Sequence, residues 1–569
     1  MHATLARKAL ILLVTAVLVI GCSTPAAIPP TAEPTVAPTA EPTVAPTAPP
    51  TETPRPTAIP TPTAVPAPVA WLDPALPEAL AGPLRAAVAG IGATTTYSRE
   101  GATLVVAPGV GQTLATWFYA VVAPFPTLAD EVTWEGIEAF WHGDPAALSV
   151  ITGDGVAPTL LVSEEILALL GEILGAPSEV APITVAPAEE LVDLAWEARP
   201  SAWSVVPFDM LEPRWKALRV DGLSLLDKTL DTTAWPLQVA VGVEGQGAAE
   251  LTAALGAEGM TTNRVTEEMT VLIMTGVTAM VRGTAHAMET RGILFPAQDI
   301  GETLASADLT HISNELPFYS KCPPPSPTQE SLVFCSSPAY MELLRAVGTD
   351  IVELTGNHFQ DYGDAATLET IDLYDQEGWP YYGGGVDLVD ASEAITLTSN
   401  GNTLSFIGCN PVGPEFAWAT AERPGAAPCN WEFMHGELRR LAEEVDVPIA
   451  TFQYWEHYFY EATGQQMEDF RSMADAGARI VSGSQAHHPQ AIEFYSGALI
   501  HYGLGNLFFD QMRVLGTRQE FVDRHVIYQG RHISTELLTY MLEDYARPRP
   551  MTPEERVELL TAVFTASGW

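Results

Sequence analysis

A Pro/Thr-rich segment near the N-terminus sets the first limit on what this chain can fold into. From Ser23 to about Ala70 the sequence is almost wholly Pro, Thr, Ala, Val and Glu, and an octet that begins at Thr31 is repeated at Thr39. Such a composition cannot bury a core, and its prolines favour extended conformations. We expect residues 23–70 to form a disordered stalk with a maximum reach of roughly 150 Å.

An export signal precedes this stalk. Residues 1–22 contain two basic residues, an apolar run over 9–20, and the small Gly21 before Cys22. The apolar run is too short to span a bilayer comfortably, and the order of features is that of a secretory signal. The segment resembles the lipobox of bacterial lipoproteins. The resemblance implies that Cys22 is lipidated and anchors the chain to the outer face of the bacterial membrane, outside the cytoplasm.

Length and charge limit the architecture and the partners of the rest. About 500 residues follow the stalk, which is too many for one core and predicts two or three domains. Hydrophobic residues make up 47% of the chain, as in globular proteins. The 70 acidic and 27 basic residues give a net charge of -43. This charge argues against nucleic acid, or an anionic bilayer, as a partner over a broad surface.

The first globular region is predicted to be an α/β domain over residues 71–260. Amphipathic helical patterns alternate there with short apolar strands such as Thr103–Val106, a pattern typical of this class. Three segments resemble type II periplasmic solute-binding proteins: 132–143, 204–208 and 217–222. The resemblance implies a small solute-binding-like domain. It names no ligand, because the loops that bind ligands in such modules vary freely.

The strongest local signal lies in the C-terminal half. An apolar strand before Gly356 ends in Asn357 and His358, and Asp361 follows three residues later. Strand ends are where α/β sheets place their chemistry. The Asn carbonyl can bind a metal, the imidazole can transfer a proton, and Asp361 can orient that imidazole. Taken alone, the motif is equally typical of a capped helix start.

Three motifs together resemble the CapA/PgsA family of poly-γ-glutamate capsule proteins, whose fold is that of the calcineurin-like metallophosphoesterases. They are Thr-Gly-Asn-His-x-x-Asp-x-Gly from Thr355, Asp-Ala-Gly-Ala from Asp475, and Gly-Leu-Gly-Asn-x-x-Phe-Asp from Gly503. The resemblance implies a four-layer α/β/β/α domain over residues 265–530. A C-terminal strand and helix in residues 531–569 complete it.

The resemblance also assigns site residues by position. It makes His358 the catalytic acid or base and Asp361 its partner. It allows at most one divalent metal ion, of unknown identity, and the candidate ligands are Asn357, Glu315, His487 and His457. The candidate polymer-binding residues are Asn506, Gln490 and Asp510.

Three departures from the family pattern leave enzymatic activity open. Val277 stands where the family has a metal-binding Asp, Gln453 stands where it has a His, and Ser484-Gln485 replaces two histidines before His487. A two-metal site needs more ligands than remain. The resemblance suggests phosphoesterase activity, but these three departures from its pattern argue against that activity.

Four cysteines remain once Cys22 is lipidated. An even number in an oxidising compartment predicts disulfides. The spacings favour Cys322 with Cys335 and Cys409 with Cys429, although three pairings are possible.

Three functions are compatible with these features. The first is a surface-anchored protein for biosynthesis or export of a poly-γ-glutamate-type capsule or exopolymer. Its partners would be an anionic exopolymer or the membrane synthase complex of that polymer. The second is a metal-dependent hydrolase of a phosphoester or amide at the cell surface, and the third is a non-catalytic ligand-binding lipoprotein. The departures at Val277, Gln453 and Gln485 favour the first and third.

Overall fold

The computed structural model describes residues 66–153, 155–257 and 259–569, and the chain from Pro66 onward forms one unit. The predicted export signal, Cys22 and the stalk up to residue 65 lie outside the described residues. The first strand begins at Val69, within the last two residues of the predicted stalk, where Val69 pairs in parallel with Thr94. None of the helices in the described ranges is long and apolar enough to cross a bilayer.

The first region is built on a mixed sheet of nine strands. The strands of this region are β1 Val69–Leu72, β2 Thr94–Thr96, β3 Leu104–Pro108, β4 Gln112–Pro124, β5 Glu131–Val132, β6 Thr159–Val162, β7 Ile183–Val185, β8 Ala202–Pro207, β9 Trp215–Ala217, β10 Arg219–Val220 and β11 Gln238–Gly245. The helices are α1 Glu78–Gly90, α2 Trp134–Trp141, α3 Glu164–Leu174, α4 Leu191–Glu197 and α5 Ala248–Ala257. The main sheet has the order β2-β1-β3-β11-β4-β8-β6-β7, β9 pairs with β4, and β5 pairs separately with β10.

Local sequence explains these elements. Strand β4 is buried at most of its positions, as expected for a central strand that is covered on both faces. The side chain of Thr133 accepts a hydrogen bond from Gly136 N and caps α2, and Ser163 caps α3 in the same way. The strand predicted at Thr103–Val106 is present as β3. The α/β class predicted for this region is therefore confirmed.

The second region contains two larger sheets. Its strands are β12 Met269–Thr278, β13 Leu309–Asn314, β14 Ile351–Glu353, β15 Tyr381–Tyr382, β16 Gly384–Gly385, β17 Ile395–Ser399, β18 Asn402–Cys409, β19 Gly425–Ala426, β20 Val447–Gln453, β21 Ile480–Ser484, β22 Ile492–Tyr495, β23 Ala498–His501, β24 Asn506–Phe508, β25 Gln519–Tyr528, β26 Arg531–Glu543 and β27 Arg547–Pro550. The helices are α6 Arg282–Arg291, α7 Gly301–Ala305, α8 Met341–Ala346, α9 Asp364–Glu377, α10 Leu388–Ser392, α11 Trp431–Glu444, α12 Gly464–Asp475 and α13 Pro553–Ala566.

We name the two sheets by their strands. Sheet I has the order β15-β14-β13-β12-β25-β26-β27, with β24 paired to β12, and sheet II has the order β17-β18-β20-β21-β23-β22. A separate short pair joins β16 to β19.

The alternation of apolar side chains along the strands produces four layers. In β12, Leu272 belongs to a core that also contains Phe406 and Ile449 of sheet II, whereas the next residue, Ile273, packs in the cluster that contains residues of α6, α8 and α9. In β20, Ile449 faces the core between the sheets, and Ala450 packs with residues of α11 and α12. Successive side chains of a strand point to opposite faces. The two sheets therefore stack on each other between outer helices, which confirms the predicted α/β/β/α arrangement.

The first region packs against sheet I and the last helix. The hydroxyl of Tyr528 in β25 donates to Asn263 O at 3.0 Å, and Arg556 of α13 forms an ion pair with Asp130 at 2.7 Å. Burial alone would raise the pKa of Asp130, but Lys216 and Arg556 outweigh it and lower that pKa to about 2. The predicted division of the chain near residue 260 stays a prediction.

Both predicted disulfides are present. Cys322 is bonded to Cys335 with 5.8 Å between their Cα atoms, and Cys409 is bonded to Cys429 with 5.0 Å between theirs. The first bond closes a loop that follows β13, and the second closes a loop that follows β18.

The C-terminal elements also match the sequence patterns. Helix α13 begins after Thr552, whose side chain and that of Glu555 form a reciprocal capping box. Two long strands, β25 and β26, and the short β27 precede this helix.

Candidate functional site

The candidate site is a cleft at the carboxyl ends of parallel strands from both sheets. Strands β12, β13 and β14 run parallel in sheet I, and β18, β20 and β21 run parallel in sheet II. Such edges are where α/β proteins bind ligands. A cavity of about 310 Å³ opens there. Among the residues that line it are five that the sequence predicted: Glu315, Asn357, His358, Asp361 and His487.

A glycine allows two strand ends to come together on the sheet I side. A Cβ atom at Gly356 would lie 2.1 Å from the carbonyl oxygen of Glu315, so no other residue fits there without a shift of backbone. The chain after β14 then turns and brings Asn357 and His358 beside Glu315. Turns rather than a helix connect β14 to α9, which begins only at Asp364.

His358 and Asp361 form a hydrogen-bonded pair in this turn. His358 Nδ1 lies 2.7 Å from Asp361 Oδ2, and the same oxygen accepts a hydrogen bond from Phe334 N at 2.7 Å. A carboxylate on Nδ1 keeps the hydrogen on that nitrogen and leaves Nε2 for proton exchange. The predicted partnership of these two residues therefore has the required geometry.

The surroundings of His358 favour its protonated form. Burial opposes protonation, but the hydrogen bond to Asp361 and the charges of Glu315, Asp361 and Glu456 outweigh it and raise the pKa of His358 above its usual value. The side chain keeps 19% of its exposure. His358 can therefore carry a positive charge at the cleft surface and give up a proton there.

On the sheet II side, amide groups occupy the strand ends. Gln453 Nε2 lies 3.3 Å from Glu315 Oε1 and 3.3 Å from Asn357 Oδ1, and it also donates to Gln485 Oε1. Gln453 and Gln485 are both buried. The two departures that the sequence placed 32 residues apart therefore meet in one network.

His487 lies beside this network and is oriented from behind. Its Nδ1 is 2.8 Å from Asn506 Oδ1, while Asn506 Nδ2 donates to Thr517 O at 2.9 Å. The amide of Asn506 thus presents its oxygen to His487, so Nδ1 carries the hydrogen. His487 Nε2 is left 3.8 Å from Glu315 Oε1.

The donors present fit a divalent metal ion poorly. Among the described residues there is no group of three or more His, Cys, Asp or Glu that could hold an ion. The predicted ligands Glu315, Asn357 and His487 do meet, but they offer one carboxylate, and the nitrogen of Gln453 lies between the oxygens. Hard cations require several oxygen ligands around one point. The residues of this cleft therefore do not supply the oxygen ligands that such an ion requires.

The missing carboxylate of the first strand is replaced by an apolar cluster. Val277 is 1% exposed and packs with Ala279, Val281, Leu316, Phe334 and Phe509. Phe334 and Phe509 also line the cavity. Hydrocarbon therefore fills the place from which the family's first strand would present a metal ligand.

Four predicted site residues do not line the cavity. Asn506 is buried behind His487. Gln490 is buried and accepts a hydrogen bond from Gln466 Nε2 at 3.0 Å. Asp510 forms an ion pair with Arg282 at 2.5 Å. His457 lies against Phe459, with 5.1 Å between their ring centroids. Their predicted roles in polymer or metal binding stay predictions.

Two residues in the cavity wall were missed by sequence reasoning. The guanidinium of Arg282 lies 5.1 Å from the ring centroids of both Phe334 and Phe509, and Glu456 contributes a carboxylate. Arg282 and its partner Asp510 are 228 positions apart. No local pattern marks a pair at that separation. The departure at Gln453 lies three positions before Glu456 and did not identify it.

Two stacked sheets between helices, with a polar cleft at the ends of their parallel strands, define the four-layer α/β/β/α class. Residues 271–511 match the family model described as bacterial capsule synthesis protein PGA_cap. The match supports the CapA-family resemblance of this part of the chain.

Curated relatives agree with this assignment. The PGA biosynthesis protein CapA of Bacillus subtilis is 27% identical over 172 residues, which are 30% of this chain and 45% of that protein. A probable polyglutamine synthesis accessory protein of Mycobacterium tuberculosis is 25% identical over 199 residues, 32% of this chain and 51% of that protein. The chain thus spans about half the length of the curated relatives it matches.

Two solved structures show a partial, low-identity likeness to this chain. A 5'-nucleotidase precursor from Thermus thermophilus is 13% identical with a TM-score of 0.31, and the match covers 52% of this chain and 59% of that one. An ABC-type phosphate transport receptor from Vibrio cholerae is 12% identical with a TM-score of 0.28, covering 34% of this chain and 96% of that one.

Proposed function

We propose that this protein is an accessory factor for biosynthesis or export of a poly-γ-glutamate-type capsule or exopolymer. The observation that carries the proposal is the CapA-family match over residues 271–511, which encloses the cleft with His358 and Asp361. Its partners are then the anionic polymer and the membrane synthase complex of that polymer. We further propose that Cys22 is lipidated and holds the protein at the outer face of the membrane.

The charges in the cleft indicate how a polymer would be handled. The chain as a whole carries a net charge of -43, so a polyanion is repelled from most of its surface. Arg282 and His358 lie in the cavity wall, and the hydrogen bond to Asp361 with nearby carboxylates raises the pKa of His358. We propose that they contact polymer carboxylates, and that His358 transfers a proton to or from the polymer end.

The hydrolase alternative is weaker on the same residues. Family phosphoesterases use a carboxylate at the position of Val277 and histidines at those of Gln453 and Gln485. Val277 is packed among apolar side chains, and the side-chain amides of Gln453 and Gln485 are hydrogen-bonded to each other. A clamp on both the attacking and the leaving oxygen of a phosphoester would need ligands at these places.

The decisive experiment measures surface polymer in the producing organism. A strain that lacks this gene is complemented with the wild type, with His358→Ala, or with His286→Ala. His286 is an exposed histidine of α6 and serves as the matched control. We expect His358→Ala to lower surface γ-glutamyl polymer about tenfold or more, because loss of an acid/base group has effects of at least that size. His286→Ala should behave as the wild type.

The same strains test the assignment and the anchor. Normal polymer from a His358→Ala protein that is present at the wild-type level would refute the role of the cleft. A Cys22→Ser variant should leave the membrane fraction or remain as an uncleaved precursor. Normal processing with full membrane retention of that variant would refute the lipid anchor.

A further inference from the structure

The orientation of the Gln453 amide is fixed by its neighbours. Val412 N and Gly413 N donate to Asn410 Oδ1 at 3.0 and 2.8 Å. A backbone N–H can only donate, so the other end of the Asn410 side chain is its NH2 group. That group lies 3.3 Å from Gln453 Oε1 and donates to it. The Gln453 oxygen therefore faces Asn410, and its nitrogen faces the cleft.

The nitrogen of Gln453 meets three oxygens that come from three different strand ends. They are Glu315 Oε1 after β13, Asn357 Oδ1 after β14, and Gln485 Oε1 after β21. Glu315 and Gln485 are nine-tenths or more buried. Three oxygen acceptors that converge on one point repel each other unless a positive group lies between them. In this chain, the partly positive NH2 group of Gln453 is that group.

We propose that the side-chain amide of Gln453 takes the place of a metal ion, and that the cleft of this protein works with this amide in place of a bound cation. Gln453 joins the ends of both sheets, as a bridging ion would, but adds no net charge. The inference goes beyond the proposed function, because it concerns what holds the cleft together and not which polymer the cleft handles. It also accounts for two departures, at Gln453 and Gln485, with one interaction.

Gln453→Glu tests the inference by replacing the donor with an acceptor. The variant puts a carboxylate among three oxygens, so we expect its Tm to fall by several degrees in chelator. Added Mn²⁺ should then raise the Tm in proportion to the logarithm of its concentration, because a cation that binds only the folded state stabilises it. The wild type should show the same Tm in chelator and in Mn²⁺, and it should retain no metal after desalting.

Gln466→Glu is the matched control. Gln466 is a buried amide of α12 that also donates to two oxygens, Gln490 Oε1 at 3.0 Å and Tyr502 O at 2.9 Å, but it lies outside the cleft. Its Glu variant should lose stability in the same way without recovery in Mn²⁺. Gln453→Met serves if the Glu variant does not fold, because Met keeps the volume and removes the donor. We expect Mn²⁺ to raise the Tm of the Met variant as well.

Two results would overturn the inference. The first is a wild-type protein that retains about one equivalent of metal and loses several degrees of Tm on chelation. The second is a Gln453→Met variant whose Tm does not respond to Mn²⁺. Neither measurement involves the polymer, so failure here is distinct from failure of the proposed function.

Discussion

The two sides of the cleft differ in the chemistry that they present. On the sheet I side, the turn after β14 holds His358 Nδ1 2.7 Å from Asp361 Oδ2, and this contact together with nearby carboxylates raises the pKa of His358. On the sheet II side, Gln453 and Gln485 form a neutral amide pair at the ends of β20 and β21. Proton chemistry needs one residue and its partner, whereas a metal site needs many ligands at once. The sheet II side can therefore lack metal ligands while His358 and Asp361 on the sheet I side keep the geometry for proton transfer.

The position of Val277 extends this comparison to the first strand. It sits next to the sheet I side, where its side chain packs in a cluster of apolar residues. A carboxylate there would be buried beside these residues. The cleft therefore differs from a metal-type site by an apolar cluster at Val277 as well as by the amides of Gln453 and Gln485.

The largest expected effect comes from restoring a carboxylate at that position. Val277→Asp buries a charge among hydrocarbon, and we expect it to lower the free energy of unfolding by roughly 3–5 kcal/mol at neutral pH. Urea unfolding followed by circular dichroism measures this loss. Phosphodiesterase activity should remain at the level of the wild type, because Gln453 and Gln485 are still amides.

Val277→Thr is the control for this substitution. It has nearly the same shape and no charge, so its loss should be smaller, roughly 1–3 kcal/mol for an unpaired buried hydroxyl. An Asp variant that is as stable as the wild type and hydrolyses phosphodiesters with added metal would show that the cleft still holds a latent metal site. In that case the chemistry of the sheet I and sheet II sides of the cleft would differ less than their residue types indicate.

One disulfide closes a loop on each side of the cleft, so the two bonds allow the two loops to be compared. The loop closed by Cys322–Cys335 carries Phe334, and the loop closed by Cys409–Cys429 carries Phe416. Their sequence separations are 13 and 20 residues. Chain entropy predicts about 3 kcal/mol of stabilisation from each, with a difference well under about 1 kcal/mol.

Two double Cys→Ser variants, one for each loop, are unfolded in urea to test whether the two losses of stability are equal. Similar losses would show that both loops act only through the entropy of the unfolded chain. A markedly larger loss for one pair would mean that its loop also carries packing of its own side of the cleft. Four free thiols in the wild-type protein would contradict both bonds.

The smallest expected effect concerns the charge on His358. Its pKa is raised in the folded protein, so the protonated ring stabilises the fold. That contribution is complete below the unfolded pKa of about 6.5 and is lost as pH rises through the higher folded pKa. Asp361→Asn removes the charged partner, so the pKa of His358 should fall and the loss should begin at lower pH.

NMR titration of the His358 ring, together with urea midpoints over about pH 6 to pH 9, measures this shift. His358→Gln is the control, because it abolishes the titration while keeping a polar side chain. An unchanged titration midpoint in Asp361→Asn would mean that Glu315 and Glu456, and not Asp361, set the charge of the cleft.

Local patterns in the sequence predicted a large part of this molecule. The strand at Leu104 and the contact of His358 with Asp361 each depend on residues a few positions apart. The disulfides close short loops, so their pairing was also favoured by spacing. The roles assigned to Asn506, Gln490, Asp510 and His457 came from position in motifs, and the structure places all four outside the cavity wall.

The sequence by itself determined the α/β class of the first region, the turn with His358 and Asp361, and the absence of a carboxylate at Val277, because these are set by residue type and short-range order. Only the tertiary structure decided what replaced the missing ligands. Gln453 and Glu315 are 138 positions apart, and they meet because β13 and β20 lie in different sheets whose ends converge at the cleft. Whether an amide points its oxygen or its nitrogen toward such a point depends on the donors behind it, here Asn410. Packing between distant segments fixes the orientation of this amide, and no local sequence pattern predicts it.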